Sequence, residues 1–264
     1  MIYGYATEDA TEAFARRHRL LSVSRIGTTG LTASQAGFGC YRVSSGVAHH
    51  KTALQKALCE GINLIDTSSN YADGGSECLV GEVLEDLMAS GKLLRENIVV
   101  VSKVGYLQGR NYELSRERKQ EGRPFPELVE YGEGLEHCIH PEVLKDQLNR
   151  SLERLKLKTL DFYLLHNPEY YLEWAQKNGH ALEAARSEYY RRIRNAFKYL
   201  EEEVNRGRIQ YYGISSNTFP AAADQPDFTC LATIWDIAES LDASHHFRLG
   251  QLPLNPVSYT HLTL

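Results

Sequence analysis

The spacing of apolar and polar positions changes period along this chain, and the changes mark its elements. Ala53, Leu54, Ala57 and Leu58 share a helical face within Lys51 to Glu60, and Gly61 follows as the stop. Ile62 to Ile65 is apolar on both parities, as in a strand covered on both faces. Leu79, Val80, Val83, Leu84 and Leu87 predict a helix over Ser76 to Met88, and the β-branched run Ile98 to Val101 a further strand. Pro141 opens a helix that carries Leu144, Leu148, Leu152 and Leu155 along one side. Leu160 to Leu165 is extended, and Leu182 to Val204 is a long amphipathic helix ended by Gly207. Ile209 to Ile214, Leu231 to Leu241 and Phe247 to Leu252 follow as strand, helix and strand. Ahead of these, Gln35 to Cys40 supplies a first strand, with Gly37 and Gly39 permitting close backbone approach. Ser24 to Leu31, around a Thr-Gly turn, reads as a β-hairpin placed to plug the amino-terminal end of a barrel. Residues 1–20 read as a tail with one helical turn around Ala10 to Arg16.

This alternation predicts right-handed βαβ crossovers and a parallel sheet with outer helices, either a barrel or a doubly wound sheet. No GxGxxG joins a strand to a helix, which disfavours a Rossmann dinucleotide site. Two connections are long. Gly105 to His140 and Asn167 to Gly179 both leave carboxyl ends of strands, where they would overhang the mouth as lids or substrate walls. The first, rich in Arg, Glu, Gly and Pro, reads equally well as a solvated insertion.

Composition narrows the function classes. The 264 residues suffice for one large α/β domain, and a net charge of -5 offers no basic field for nucleic acid. No apolar run approaches the roughly 20 residues that span a bilayer, and Met1 to Arg19 has no apolar signal core. Five cysteines lie scattered without a CxxC pair, as expected of reduced thiols in the cytoplasm and not of a disulfide framework or zinc site.

The strand ends hold the chemistry. Asp66 follows Ile62 to Ile65, with Tyr71 a few residues on. Lys103, His166, the run Ser215-Ser216-Asn217 and Gln251 close later strands. In a parallel barrel all these ends converge on one face. Each has a plain structural reading: Asp66 as a helix N-cap, Tyr71 as packing, Lys103 as a snorkelling lysine, His166 as a core histidine. Their delivery at matching positions of consecutive strands points instead to proton transfer at a substrate oxygen.

At this point the chain resembles the aldo/keto reductase superfamily. Asp66-Thr67-Ser68 with Tyr71 is similar to the family's Asp-Thr-Ala/Ser-x-x-Tyr segment, and Gly74, Ser76, Glu77 and Gly81 to the helix start that follows it. Ser102-Lys103, Ser151 to Leu155 with Asp161 and His166, Gly213-Ile214-Ser215, and Gln251 to Asn255 match later segments in order. The resemblance covers about residues 22 to 256. It implies a (β/α)8 TIM barrel that binds NADP(H), or less often NAD(H), without a Rossmann domain. The implied activity is reduction of an aldehyde or ketone, or the reverse on an alcohol, with no metal. Residue by residue, it implies Tyr71 as general acid and Lys103 as the ammonium that lowers the phenol's pKa. Asp66 would hold Lys103, and His166 would hydrogen-bond the substrate oxygen. Ser215, Ser216, Asn217 and Gln251 would hold the nicotinamide carboxamide, although the family's asparagine aligns on Ser216 and not on Asn217. Tyr41 and Trp174 are candidate substrate walls.

Six of the eight strand-helix units are legible. After Asn255, where the family's seventh strand belongs, the chain reads Pro256 to Leu264. The expectation is therefore an incomplete barrel over residues 21–257, a foreign tail over 258–264, and weak cofactor binding by this chain alone. Two rival readings are an NADPH-sensing binding protein on the same fold and an inactive fragment. Substrate and oligomeric state stay open.

Overall fold

A computed structural model describes residues 1–18 and 21–254. Its elements in chain order are α1 (Glu8–Arg17), β1 (Val23–Arg25), β2 (Thr32–Ser34), β3 (Phe38–Gly39), α2 (Ala48–Cys59), β4 (Leu64–Asp66), α3 (Gly75–Ala89), β5 (Val99–Val104), β6 (Tyr106–Leu107), α4 (Arg110–Gln120), β7 (Val129–Gly132), β8 (Leu135–His137), α5 (Pro141–Leu155), β9 (Leu160–His166), α6 (Tyr170–Lys177), α7 (Leu182–Asn205), β10 (Ile209–Ser215), α8 (Leu231–Leu241) and β11 (Phe247–Gln251). The expected 258–264 tail and Asn255 lie outside the described residues.

Six strands pair in parallel in the order β3-β4-β5-β9-β10-β11. Each new strand of this sheet joins the one laid down before it, which is how a (β/α)8 wall is built. Among the described residues the sheet stays open, with β3 and β11 paired on one side only. The incomplete barrel read from the sequence is what these residues form. The central strands β5 and β9 are buried along their whole length, which explains their apolar runs on both parities.

Side chains sort by parity. Val100, Val104, Tyr163, Leu165, Tyr212 and Ile214 pack outward against the helices. Val99, Val101, Phe162 and Leu164 pack inward, with Leu64, Tyr211 and Leu249 against them. Because a strand alternates faces with period two, Asp66, Lys103, His166, Ser215 and Gln251 all fall on the inward parity at the carboxyl ends. Gly213 is fixed by this packing: a Cβ there would sit 1.9 Å from the carbonyl oxygen of Leu249. The carboxyl-end chemistry is thus a consequence of strand register, not of any local motif.

The hairpin β1–β2 closes the amino-terminal end. Leu31, in its turn, is buried in the inner cluster with Val99 and Phe162. Asn63, just before β4, fastens it: Ser34 N donates to Asn63 Oδ1 at 2.7 Å, and Asn63 Nδ2 donates to Thr32 O at 2.9 Å.

Two regions differ from the sequence expectation. The N-terminal segment holds a ten-residue helix, α1, where one turn was expected. Thr7 caps it, Glu8 and Asp9 sit in its first turn, and Arg16 and Arg17 in its last, which suits the helix dipole at both ends. Phe14 anchors it in the outer core, and Asn97 Nδ2 donates to Ala10 O at 3.1 Å. The long connection after β5 is a folded unit: β6, β8 and β7 form an antiparallel sheet, with α4 beside it. Its small core of Leu107, Phe125, Cys138 and Val143 explains why so polar a segment folds. No helix among the described residues is long and apolar enough to cross a membrane.

Candidate active site

Asp66 ends β4 and Lys103 lies near the end of β5, its paired neighbour. Lys103 is 1% exposed, so its ammonium must find partners inside the protein. It has three. Asp66 Oδ1 lies at 2.7 Å, and Nζ donates to Thr67 O at 3.1 Å and to Tyr71 Oη at 3.2 Å. Two hydrogen bonds and one ion pair thus fix the lysine in place and join the carboxylate to the phenol. Tyr71 reaches this point because the chain turns sharply after β4: residues Tyr71–Gly74 form a 3-10 turn in which Ala72 and Asp73 adopt positive φ.

The phenol's acidity differs from the expectation. Lys103 does pull the Tyr71 pKa down, but burial is the larger effect and the net shift is upward. At rest, Tyr71 therefore carries its proton.

His166, the last residue of β9, faces Tyr71 edge-on, with ring centroids 6.0 Å apart. Burial, reinforced by the Lys103 charge, holds its pKa well below the usual imidazole value, so the ring is neutral. Its Nδ1 lies 3.2 Å from Ser68 Oγ.

A brace stands behind the cluster. Ser76 Oγ is 2.7 Å from Thr67 Oγ1, and Ser102 Oγ donates to the fully buried Glu77 at 2.5 Å. Glu77 is held in turn by Arg154 of α5 at 2.6 Å. Gly81 lets the two helices meet, because a Cβ there would sit 2.4 Å from Arg154 O.

A cavity of about 880 Å³ opens above these groups. Tyr71, His166 and Tyr41 line it, as the sequence suggested for Tyr41. Trp174 does not: it packs against Tyr171 and His180. Tyr170, one helical turn earlier on α6, takes the wall position instead. A turn of helix shifts a side chain by roughly 5–6 Å along the axis, which is enough to leave the mouth.

The cofactor candidates divide. Ser215 and Gln251 are paired across β10 and β11, point inward, and are half-buried. A hydroxyl and a carboxamide there supply the mixed donors and acceptors that a primary amide needs, so they fit the nicotinamide end. Ser216 is different. Its buried Oγ accepts from Thr218 N at 3.1 Å and lies 3.2 Å from Thr218 Oγ1, so it serves a local turn. Asn217 is exposed and lines the cavity.

Several residues of this site were not singled out from sequence. Asn167, at positive φ, lines the cavity and donates Nδ2 to Glu169 Oε1 at 2.9 Å. The same oxygen accepts from Asn217 N at 2.8 Å, so one buried carboxylate ties together the loops that follow β9 and β10. Tyr106 packs edge-on against His166 at 4.7 Å, and His137 Nε2 lies 2.7 Å from His166 O. An Asn directly after a strand-ending His, a residue type enriched at positive φ, is the one local signal in the sequence that points to Asn167.

Comparison with known proteins agrees with this geometry. A profile described as "Aldo/keto reductase family" matches residues 37–226. The chain is 33% identical over 150 residues to the NADH-specific methylglyoxal reductase of Escherichia coli, covering 53% of this chain and 40% of that protein. It is 25% identical over 203 residues to the 6-dehydroglucose reductase of Novosphingobium aromaticivorans, covering 74% and 51%. The chain thus spans about half the length, or less, of these relatives. A solved aldo-keto reductase of Bacillus halodurans in its holo form shares the fold, with TM-score 0.52 and 24% identity over 74% of this chain and 50% of that one. A thermostable aldo-keto reductase bound to the inhibitor epalrestat gives 0.55 at 19% identity, over 89% and 63%.

Proposed function

Because the chain belongs to the aldo/keto reductase family, we propose that it is an NAD(P)H-dependent oxidoreductase that reduces a small polar aldehyde or ketone, or oxidises the matching alcohol. The observation that carries this reading is the Lys103 ammonium in contact with both Asp66 and Tyr71 at the floor of a cavity that His166 also lines. A bound reduced nicotinamide supplies the hydride. The chain's residues manage the oxygen. Tyr71 gives its proton to the carbonyl oxygen as negative charge develops there. The phenolate left behind lies beside the Lys103 ammonium, which stabilises it and which Asp66 keeps in position. A phenol whose resting pKa is raised holds the proton until that moment, and the ammonium acts on the phenolate form. His166, being neutral, meets the substrate oxygen through Nε2. Solvent then returns a proton to Tyr71.

Ser215, Gln251 and Asn217 would hold the nicotinamide carboxamide. The polar lining from Arg42, Asn70, Gln108, Asn167 and Asn217 suits small oxygenated substrates, and the named substrates of the relatives, methylglyoxal and 6-dehydroglucose, are the first to try. All five cysteines are free thiols, which suits a reducing compartment such as the cytoplasm.

Oxidation of NADH and of NADPH is followed against both compounds and a panel of simple aldehydes and ketones. Tyr71→Phe is expected to cut turnover by roughly 10²–10⁴ while fluorescence titration shows unchanged cofactor binding. Turnover that survives this substitution removes Tyr71 as proton donor.

A further inference from the structure

The hydrogen bonds around His166 decide more than where the ring sits. Ser68 is fully buried and has a single proton to give. Its hydroxyl donates to Asn70 Oδ1 at 2.7 Å, with the carbonyl oxygen of Lys103 as a longer alternative at 3.4 Å. Once that proton is committed, Ser68 Oγ meets His166 Nδ1 at 3.2 Å with lone pairs only, so the ring must supply the proton of that bond. Asn70 passes the pattern on by donating Nδ2 to Gln108 Oε1 at 3.1 Å. Every link of the chain His166–Ser68–Asn70–Gln108 then donates in the same direction, away from the ring. The ring is neutral, so a proton on Nδ1 leaves Nε2 without one.

We propose that Asn70 and Gln108 are positioning residues that set the tautomer of His166, so that in the ligand-free chain Nδ1 carries the proton and Nε2 offers a lone pair to the cavity. Such an Nε2 accepts from an alcohol hydroxyl and repels a carbonyl oxygen. To receive a carbonyl the relay must reverse. Gln108 and Asn70 each turn their carboxamide over, Asn70 Nδ2 donates to Ser68 Oγ, and Ser68 donates to Nδ1. A cavity water gives a proton to Nε2 and the Nδ1 proton returns to that water, so charge and the number of hydrogen bonds are conserved. Gln108 lies between β6 and α4, at the root of the folded insertion that also walls the cavity. The insertion therefore biases whether the site meets a carbonyl or an alcohol. Only this kinetic consequence rests on the reductase reading; the tautomer does not.

The test is the ¹⁵N–¹H correlation spectrum of the ligand-free chain with labelled histidine at neutral pH, in which the two neutral tautomers have distinct nitrogen signatures. His166→Gln identifies the ring by subtraction. The expected result is a proton on Nδ1. Gln108→Glu, which can only accept, is expected to keep it there, and Ser68→Ala to move it to Nε2. If Ser68→Ala does not fold, Gln108→Leu takes its place and is expected to populate Nε2–H. In the kinetic arm, Gln108→Glu raises the ratio of KM for an aldehyde to KM for the matching alcohol about tenfold, as one misdirected hydrogen bond does. A wild-type ring protonated on Nε2, or a tautomer that ignores the loss of Ser68, overturns the proposal. A chain with Nδ1–H that turns over no carbonyl refutes the reductase reading and leaves the relay standing. A chain that reduces carbonyls with Nε2–H at rest refutes the relay alone.

Discussion

Each end of the parallel sheet sets an aspartate against a buried cation, and the two pairs differ in what surrounds them. At the amino end, Arg95 Nη2 lies 2.8 Å from Asp161 Oδ2, with both side chains almost wholly inaccessible. Asp161 also accepts from Ala6 N and Val100 N, each at 2.7 Å, and Arg95 donates to Ile98 O and Thr159 O. Apart from each other, the two groups bond only backbone. At the carboxyl end the Lys103–Asp66 pair is as short, but Asp66 is 26% exposed and the third partner is a phenol that lines a cavity. The first pair stitches the segment before α1 to β5 and β9. The second holds a proton donor at an opening. The same ionic chemistry serves structure where the pair's other partners are backbone, and serves reaction where one partner faces a substrate-sized space.

The comparison breaks most visibly under substitution of the two cations. Arg95→Met strands a buried carboxylate and is expected to cost about 3–5 kcal/mol of stability in urea unfolding, with kcat of the folded fraction unchanged. Lys103→Met leaves Asp66 with water access, so its cost is smaller, about 1–3 kcal/mol. Its turnover, however, is expected to fall by at least roughly 10², as on removal of a group that stabilises charge in the transition state. Equal stability losses for the two variants, or a Lys103→Met enzyme that still turns over, would erase the distinction between the ends.

Sequence reading reached the carboxyl end better than its surroundings, and the reason is periodic. Asp66, Lys103, His166, Ser215 and Gln251 each lie at or one residue before the end of a strand whose apolar pattern is plain, so a rule of alternation places all five on one face. Tyr106 and His137 sit on the short strands of the insertion, and Asn167 and Glu169 in the turn between β9 and α6. They join the site through contacts such as Tyr106 Oη to Asn167 Oδ1, 61 residues apart, which no local period encodes. Trp174 drew attention as a large aromatic, yet helical rise gives the wall to Tyr170. Ser216 matched the family's position by alignment, but its hydroxyl is spent on Thr218. The folded insertion went unread because its four-residue apolar core is split between β6, α5 and the segments flanking β7 and β8.

A smaller effect separates the two ends by pH. His137, behind His166, is pulled by burial from 6.5 to about 4. Its folded-state pKa is below the unfolded one, so between these values the unfolded chain takes up a proton that the folded chain refuses. Stability is therefore expected to be full above pH 6.5 and to fall as pH drops toward 4, by about 3 kcal/mol from this group. His137→Gln keeps a donor for His166 O without titrating, and should flatten that part of the stability-versus-pH curve. Hydrogen exchange at pH 5 should show amides of β6 and β8 losing protection before those of β1 and β2. Loss at the hairpin first would place the acid-sensitive groups at the amino end instead.

The smallest expected effect tests how tightly the brace is coupled to the chemistry. Ser102 precedes Lys103 on β5 and points to the other side of the sheet, toward Glu77 and α3. Ser102→Ala removes one of Glu77's partners and leaves Arg154. The expected cost is about 1 kcal/mol of stability. Turnover should change by less than about threefold, because the lost bond relaxes away from the cavity while Lys103 keeps all three of its own contacts. The readings are urea midpoint and kcat on the same preparation. A drop in kcat beyond about tenfold with stability nearly intact would mean that the outward face of β5 sets the lysine's position. The carboxyl end would then work as one rigid unit with α3 and α5 behind it, and the division drawn here between a stitching pair and a reacting pair would have to move outward by a layer.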